Sequence, residues 1–303
     1  MLKKILKLLS EEEVISQRKI SKYLNISLGS VNKYLNQALL LDLLTKEEIS
    51  YREKKYFLTE KGKNFLNKEA KINLAVILLA GKPKNISSSV GELKVESENI
   101  ITRHLKLLKK NEISNVVLVV GYNADYYKKI KYKDLNIEIV ENKNYRNTGN
   151  MYSLYLAKDF IQEDFLLIDG DLVYNENLLM EILKSKEKNV ALVEENIRKQ
   201  DDCVYVDLKN NMLKNLSKDK SSLENISGQL IGIHKIQYRN YLKMIEKFEK
   251  INNSFYFYEY FFKDPEIFNE FYCLQKDNFI WGEVDNLKQY KYVLEHVTPI
   301  LDK

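Results

Sequence analysis

Short apolar runs that alternate with amphipathic stretches dominate the chain from Asn73 onward. Each run is four to six residues long and rich in Val, Ile and Leu, which is typical of strands that are buried on both faces of a parallel sheet. The alternation predicts an α/β domain with a Rossmann-like, mostly parallel sheet. The runs are 74–79, 116–120, 137–140, 165–168 and 190–193.

The positive charge of the chain is confined to its first 70 residues. These contain 14 Lys and Arg against 9 Asp and Glu, whereas the remaining 34 basic and 34 acidic residues balance. The stretch 16–40 has four basic residues and no acidic one, a pattern typical of a surface that meets phosphate. Since 303 residues are more than a single core usually holds, we predict two domains, 1–70 and 71–303.

Two short helices joined by a tight turn are predicted inside that basic stretch. Ser16 and Ser27 stand where helix N-caps are expected, with a turn over 25–27. The second helix, 28–40, presents polar side chains suited to base edges and phosphates, and a two-stranded wing over 44–58 follows. The residues predicted to face the core are Ile20, Tyr23, Leu24, Leu28, Val31, Leu35 and Ala38.

This segment resembles a winged helix-turn-helix domain of the MarR-like kind over its whole length. The resemblance implies that the second helix and the wing contact duplex DNA, with a homodimer on a pseudo-palindromic site. The alternative is a helical dimerisation domain with no nucleic-acid role. The residues assigned to DNA are Arg18, Ser30, Asn32, Lys33, Arg52 and Lys54.

Three segments of the larger domain place glycine and carboxylates at predicted strand ends. After Leu79-Ala80-Gly81, backbone N–H groups can cradle a triphosphate. In Asp169-Gly170-Asp171 the two carboxylates point the same way and can hold a hard cation such as Mg²⁺. Glu283-Val284-Asp285 precedes the last helix. Because ligands of α/β sheets bind at the carboxyl ends of strands, these segments are the candidate site.

Together with Asn150-Met151-Tyr152-Ser153-Leu154, these segments resemble the motifs of nucleotidyltransferases that make nucleotide-activated compounds from NTPs. They are most similar to the choline-phosphate cytidylyltransferase branch, and the resemblance covers about residues 73–297. It implies transfer from CTP to a small phosphate such as phosphocholine. The products would be CDP-choline and pyrophosphate, with Mg²⁺ as cofactor.

The resemblance also implies roles for individual residues. Asp171 and Asp285 would hold Mg²⁺ and act in catalysis together with Lys94 and Lys218. The aromatic residues near the acceptor either form a cage for a quaternary ammonium group or reflect the 21 tyrosines of the chain. The nucleotide would contact Leu79, Ala80, Gly81, Lys82, Asn150, Ser153 and Asp169, and the acceptor Tyr152, Tyr174, Glu259, Trp281 and Glu283.

The loop after Gly81 departs from the family pattern. Pro83 and Asn85 replace a second glycine and an arginine, and Ser89-Val90 replaces a Pro-Lys pair. A catalytic lysine is therefore absent unless another, such as Lys94, substitutes for it, and losing a transition-state cation costs orders of magnitude in rate. Two hypotheses stay open: an active cytidylyltransferase, or a DNA-binding regulator whose degenerate domain senses a nucleotide or choline compound.

The remaining sequence features predict a cytoplasmic protein without a membrane segment. The longest uncharged apolar stretches fall well short of the roughly 20 residues of a membrane helix. The two cysteines have no CxxC partner and the three histidines are scattered. A disulfide framework or a Cys/His zinc site is therefore not expected.

Overall fold

The protein forms two compact units, Met1–Lys71 and Ile72–Lys303. Among the described residues, none of the helices combines the length and the hydrophobicity that a membrane span requires. The computed structural model describes residues 1–11, 16–50, 53–67, 71–197 and 203–301.

The first unit contains the predicted helix-turn-helix and wing. Ser16 and Ser27 are N-caps, and their hydroxyls accept hydrogen bonds from the backbone N–H groups of Lys19 (3.2 Å) and Ser30 (3.1 Å). Between the two helices Asn25 takes a left-handed conformation, with φ of 50°. The elements are α1 (Leu2–Glu11), α2 (Gln17–Leu24), α3 (Leu28–Leu40), β1 (Leu44–Ser50), β2 (Glu53–Leu58) and α4 (Glu60–Asn67).

One apolar core holds this unit together. Ile5 of α1, Ile20 of α2 and Leu35 of α3 are fully buried in it. Helix α4 approaches the backbone before β1 so closely that a Cβ on Gly62 would lie 2.0 Å from the carbonyl oxygen of Leu43. Only glycine fits at that position of α4.

Two residues predicted to face this core are exposed instead. Tyr23 is 70% exposed and Leu28 is 44% exposed. Leu28 is the first residue of α3, so it precedes the turn at which the helix meets the core. The apolar faces of α2 and α3 are therefore narrower than the sequence pattern indicates.

The second unit is an α/β domain built around one large sheet. The strands are β3 (Leu74–Leu79), β4 (Lys94–Val95), β5 (Glu98–Asn99), β6 (Asn115–Val120), β7 (Asn136–Glu141), β8 (Phe165–Asp169), β9 (Leu172–Tyr174), β10 (Val190–Glu194), β11 (Tyr205–Lys209), β12 (Met212–Ser217), β13 (Gly228–Ile236), β14 (Tyr272–Lys276) and β15 (Trp281–Glu283). The helices are α5 (Ile100–Lys110), α6 (Ala124–Tyr127), α7 (Asn150–Leu156), α8 (Glu176–Lys184), α9 (Tyr238–Lys250) and α10 (Leu287–Tyr292).

Within the described residues the sheet has nine strands in the order β10-β14-β12-β11-β13-β8-β3-β6-β7. The run β8-β3-β6-β7 is parallel, and β13 joins β8 antiparallel. Much of the other half is antiparallel because β11 and β12 form a hairpin. Its turn residues Asn210 and Asn211 have φ of 53° and 62°, as a two-residue primed turn requires. The α/β fold class is confirmed, with a mixed sheet.

Helices cover both faces of the sheet. Alternate residues of β3 face opposite sides, so Ile77 packs with one core and Val76 with the other. Helices α5 and α8 belong to the first core, and α7 and α9 belong to the second. This three-layer arrangement leaves the carboxyl ends of β3 and β8 free to form a site.

Candidate active site

A cleft of about 320 Å³ lies where β3 and β8 end. These strands are adjacent and parallel, so the loops that follow them reach the same edge of the sheet. Ten of the residues assigned to the site from the sequence line this cleft: Ala80, Gly81, Asn150, Ser153, Asp169, Asp171, Lys218, Glu259, Glu283 and Asp285.

Strands β9 and β15 bring two acidic segments together. They pair antiparallel, and the N–H of Val284 donates to the carbonyl oxygen of Asp171 at 3.0 Å. Burial and the charge of Asp285 raise the pKa of the Asp171 carboxyl well above its usual value, and Asp169 and Glu283 add to the effect. The fold thus holds like charges close together, which disfavours their ionised forms.

The donor set of this acidic pair suits a magnesium ion. Among the described residues, no group of three or more His, Cys, Asp and Glu side chains is placed to hold a metal jointly. Mg²⁺ is usually bound by one or two carboxylates, while waters and substrate phosphates complete its shell. A divalent cation between Asp171 and Asp285 would also remove the repulsion that raises the pKa of Asp171.

Tyr258 fixes the orientation of Asp169. Its hydroxyl donates to both carboxylate oxygens of Asp169, at 3.0 and 2.9 Å, and its oxygen lies 3.1 Å from Nε2 of His234. Burial lowers the pKa of His234 to about 3, so the ring is neutral. Because the Tyr258 hydroxyl donates to Asp169, its oxygen accepts from Nε2–H of His234. Burial and the charge of Glu259 raise the pKa of Asp169. Gly232 makes room for this carboxylate, because a Cβ there would lie 2.2 Å from Oδ2.

Asn150 holds Glu259, another carboxylate that lines the cleft. Its Nδ2 donates to both oxygens of Glu259 at 3.1 Å, and its Oδ1 accepts from the N–H of Tyr258 at 2.9 Å. Ser153, one turn later in α7, accepts from Nδ2 of Asn142 at 3.0 Å. The start of α7 therefore orients the residues that surround the cleft.

The loop after β3 is tied to the second acidic segment. The N–H of Lys84 donates to the carbonyl oxygen of Asp285 at 2.7 Å, and Lys84 forms a β-bridge with Asn286. Ala80 and Gly81 line the cleft, and a Cβ on Gly81 would meet nothing within 4 Å. The backbone at Gly81 is therefore open to a phosphate, whereas the N–H of Lys84 is already used.

The aromatic residues assigned to the acceptor lie outside the cleft, which corrects that assignment. Tyr174 and Trp281 are cross-strand partners in β9 and β15, and both are 1% exposed. The hydroxyl of Tyr174 lies 3.2 Å from Nδ1 of His104. Tyr152 packs against the core beneath α7, with its ring 6.3 Å from that of Tyr155. Tyr174 and Trp281 therefore fill the core, and Tyr152 is partly buried against it.

Two residues assigned to the nucleotide, Leu79 and Lys82, and one assigned to catalysis, Lys94, also lie outside the cleft. Leu79 is 1% exposed and belongs to the core. The ammonium of Lys82 lies 4.8 Å from the centre of the Tyr122 ring, and Lys94 is exposed on β4. Of the three lysines assigned to the active site, only Lys218 lines the cleft.

Several residues of the site escaped the sequence analysis. Gly232 and His234 lie on β13, which is not among the apolar runs that indicate the other strands. His104 lies beneath the acidic loop, and its Nε2 is 3.3 Å from the carbonyl oxygen of Gly170. Tyr258 could have been found from the sequence, because it directly precedes Glu259, which the sequence analysis assigned to the acceptor. The scarcity of histidine gave no hint that two of the three support this site.

Most of the residues assigned to DNA are exposed on the first unit. Ser30 is partly buried, and its hydroxyl lies 2.9 Å from that of Ser27, so it supports the start of α3. Arg52 lies outside the described residues. The exposed residues are Arg18, Asn32, Lys33 and Lys54.

Family models match both units. A model described as a domain of unknown function, DUF6564, matches residues 91–281, which is more than half of the chain. The chain belongs to this family. A model described as winged helix-turn-helix DNA-binding matches residues 2–39, the region of α1 to α3.

The second unit is similar to nucleotidyltransferases in sequence and in fold. The choline-phosphate cytidylyltransferase of Haemophilus influenzae is 32% identical over 111 residues, which are 35% of this chain and 47% of that protein. The corresponding enzyme of Streptococcus pneumoniae is 28% identical over 102 residues, 32% of this chain and 44% of that protein. The chain thus spans less than half the length of either relative.

The fold matches a solved CTP transferase over nearly all of that structure. The inositol-1-phosphate CTP transferase from T. maritima superimposes with a TM-score of 0.63 and 18% identity over 76% of this chain and 97% of that chain. The predicted nucleotidyltransferase fold and the resemblance to choline-phosphate cytidylyltransferases are both confirmed.

Proposed function

We propose that the second unit transfers CMP from CTP to a small phosphate or phosphonate and releases pyrophosphate. The observation that carries this proposal is the meeting of Asp171, Asp285 and the open Gly81 backbone in one cleft. The two relatives are named for choline phosphate and cytidylyl transfer. Phosphocholine is therefore the first acceptor to test, with CDP-choline as its product.

The chemistry requires positioning more than a general base. An ionised oxygen of the acceptor phosphate attacks the α-phosphorus of CTP, and the bond to the bridging oxygen breaks with its electron pair leaving on pyrophosphate. Gly81 gives the phosphates access to the strand end. Lys218 supplies positive charge at the same cleft, where it offsets charge on the reacting phosphates.

Asp171 and Asp285 are the residues that would hold Mg²⁺. A bound Mg²⁺ neutralises phosphate charge and favours attack at phosphorus. The hydrogen bond from Gln289 Nε2 to Asp285 Oδ2, 3.3 Å long, orients the second carboxylate. The bond from Val284 to Asp171 keeps the two segments in register.

The first unit supports a DNA-binding role. Asn32 and Lys33 are exposed on α3, the helix that enters the major groove in helix-turn-helix proteins. Lys54 is exposed on the wing strand β2. We propose that this unit binds duplex DNA as a homodimer and ties the transferase to its own operon.

A second candidate function is favoured by the loop after β3. The N–H of Lys84 is bound to Asp285 instead of being open to a phosphate, and Val90 stands where the family has its lysine. A domain of this kind can bind a nucleotide without converting it to product, and the bound nucleotide can change the activity of the DNA-binding unit.

Pyrophosphate release separates the two functions. The purified full-length protein is incubated with CTP, Mg²⁺ and phosphocholine or another small phosphate. The release of pyrophosphate is measured by a coupled pyrophosphatase assay. Turnover that disappears in Asp285→Asn supports the transferase. If the protein binds CTP but releases no pyrophosphate from it with any acceptor, the sensor function is supported.

A further inference from the structure

The cleft is rich in hydrogen-bond acceptors and negative charge. Five carboxylates line the cleft, and Lys218 is its one lysine or arginine among the described residues. If Asp171 and Asp285 hold the metal, Asp169, Glu259 and Glu283 remain. The acceptor therefore meets a surface with a surplus of negative charge.

Asp169 and Glu259 are held in fixed orientations. The hydroxyl of Tyr258 donates to Asp169, and the amide of Asn150 donates to Glu259 while its oxygen binds the N–H of Tyr258. A carboxylate accepts about four hydrogen bonds, more than the single hydroxyl of Tyr258 supplies to Asp169. Nδ1 of His234 is a further buried acceptor, and it has no partner among the described residues.

The aromatic rings of the cleft already carry cations of the protein. The ammonium of Lys218 lies 4.2 Å from the centre of the Phe257 ring, and the guanidinium carbon of Arg146 lies 5.7 Å from the centre of the Tyr145 ring. The ring of Tyr258 is fully buried. Aromatic faces are what hold a quaternary ammonium. In this cleft, one face of the Phe257 ring and one face of the Tyr145 ring are already covered by a cation of the protein.

We infer that the acceptor is a small phosphate or phosphonate bearing a primary ammonium group, whose N–H bonds are accepted by Asp169 and Glu259. This inference rests on the proposed transferase function. A primary ammonium has three N–H donors, enough to donate to both of these carboxylates, which line the same cleft. A trimethylammonium has none, so binding it would bury both carboxylates without the hydrogen bonds that the cleft is built to accept.

The test compares acceptors that differ only in N-methylation. Phosphoethanolamine, its mono- and dimethyl forms and phosphocholine are assayed with CTP and Mg²⁺ on the wild-type full-length protein. We expect kcat/KM to fall with each methyl group and to be at least about tenfold lower for phosphocholine than for phosphoethanolamine. A value for phosphocholine equal to or above that for phosphoethanolamine overturns the inference and leaves the transferase function intact.

Variants test whether the two carboxylates carry the preference. Ethyl phosphate serves as an acceptor without an amine. In Glu259→Gln and in Asp169→Asn we expect the preference for phosphoethanolamine over ethyl phosphate to fall at least about tenfold. In Glu249→Gln, which alters a carboxylate bound to Tyr155 outside the cleft, the preference stays unchanged. An unchanged preference in both cleft variants contradicts the assignment.

A binding measurement keeps the inference testable if the transferase proposal fails. The same four acceptors are titrated by calorimetry into the protein with Mg²⁺ and a CTP analogue whose α–β bridge is a methylene group. Tighter binding of phosphoethanolamine supports the ammonium site even without turnover. Equal binding, or tighter binding of phosphocholine, overturns it.

Discussion

Asp171 lies among carboxylates whose charges oppose its own ionisation. We predict that Asp171→Asn lowers transfer at least about 100-fold and raises the melting temperature in EDTA. Removing like-charge repulsion stabilises the fold, by about 2–4 °C for each kcal/mol. Thermal unfolding with EDTA and with Mg²⁺ checks this prediction.

A surface carboxylate provides the control for that variant. Asp159 is exposed, so Asp159→Asn should change neither the melting temperature nor the turnover appreciably. Excess Mg²⁺ should stabilise the wild type more than Asp171→Asn, because only the wild type keeps both carboxylates. A destabilised Asp171→Asn in EDTA would contradict the idea that repulsion dominates at this residue.

His104 links the acidic loop to the stability of the fold at low pH. Burial lowers its pKa from 6.5 to about 4, so the unfolded chain binds a proton that the folded chain does not. Its contribution to stability is present above pH 6.5 and is lost as the pH falls toward 4, by about 2 kcal/mol between pH 7.5 and pH 5.

Comparison of two histidine variants isolates that effect. The free energy of unfolding in urea is followed through Trp281, the single tryptophan of the chain. We predict that His104→Gln has a flatter dependence on pH than the wild type, whereas His296→Gln, at an exposed position, keeps the wild-type dependence. Parallel curves for His104→Gln and the wild type would show that the imidazole is not the group involved.

At the scale of the element, helix α3 offers two kinds of contact to DNA: a charged contact to phosphate and a hydrogen bond to a base edge. We predict that Lys33→Ala weakens binding to every duplex and lowers the salt slope by about one, because one phosphate contact is lost. Asn32→Ala should instead relax the choice of base at one position. Electrophoretic shifts with upstream DNA of the protein's own operon, at several salt concentrations, measure both effects.

A lysine outside the recognition helix supplies the matched control. Lys7 is exposed on α1, and Lys7→Ala removes the same charge without removing a groove contact. Its salt slope should remain that of the wild type. If Lys33→Ala and Lys7→Ala behave alike, α3 is not the helix that meets DNA, and absence of any binding at low salt makes the unit an assembly domain.

Elements with a strong local pattern could be predicted from the sequence, and contacts between distant elements could not. The β3 run and the caps Ser16 and Ser27 follow from hydrophobicity and side-chain chemistry within a few residues. The burial of Tyr174 depends on its pairing with Trp281, more than 100 residues away. Strand pairing decides which face of a short strand meets the core, so acidic residues were easier to place than the aromatic ones beside them.

At the scale of the whole molecule, the two proposed functions differ in whether CTP and DNA influence each other. Affinities that are linked must be linked equally in both directions. We predict for a plain transferase that CTP with Mg²⁺ leaves the DNA dissociation constant unchanged. A sensor would change it by about 5- to 150-fold, and DNA would change the CTP affinity by the same factor.

Shift titrations with and without nucleotide measure this coupling. Asp285→Asn is the informative variant, because it should lose any effect of CTP with Mg²⁺ while leaving the DNA affinity in the absence of nucleotide as it was. An effect of CTP that persists in Asp285→Asn would place nucleotide binding elsewhere than the cleft.

The backbone bond between Lys84 and Asp285 constrains how this domain can be re-engineered and how it can evolve. The loop after β3 and the segment 281–286 are far apart in the gene, yet the position of one sets the position of the other. Inserting a longer glycine-rich loop alone would remove the donor to the carbonyl oxygen of Asp285 and shift a carboxylate of the cleft. Chimeras with related proteins should therefore exchange both segments at once. A chimera that exchanges only one of them lacks the matching partner for the hydrogen bond between the two segments.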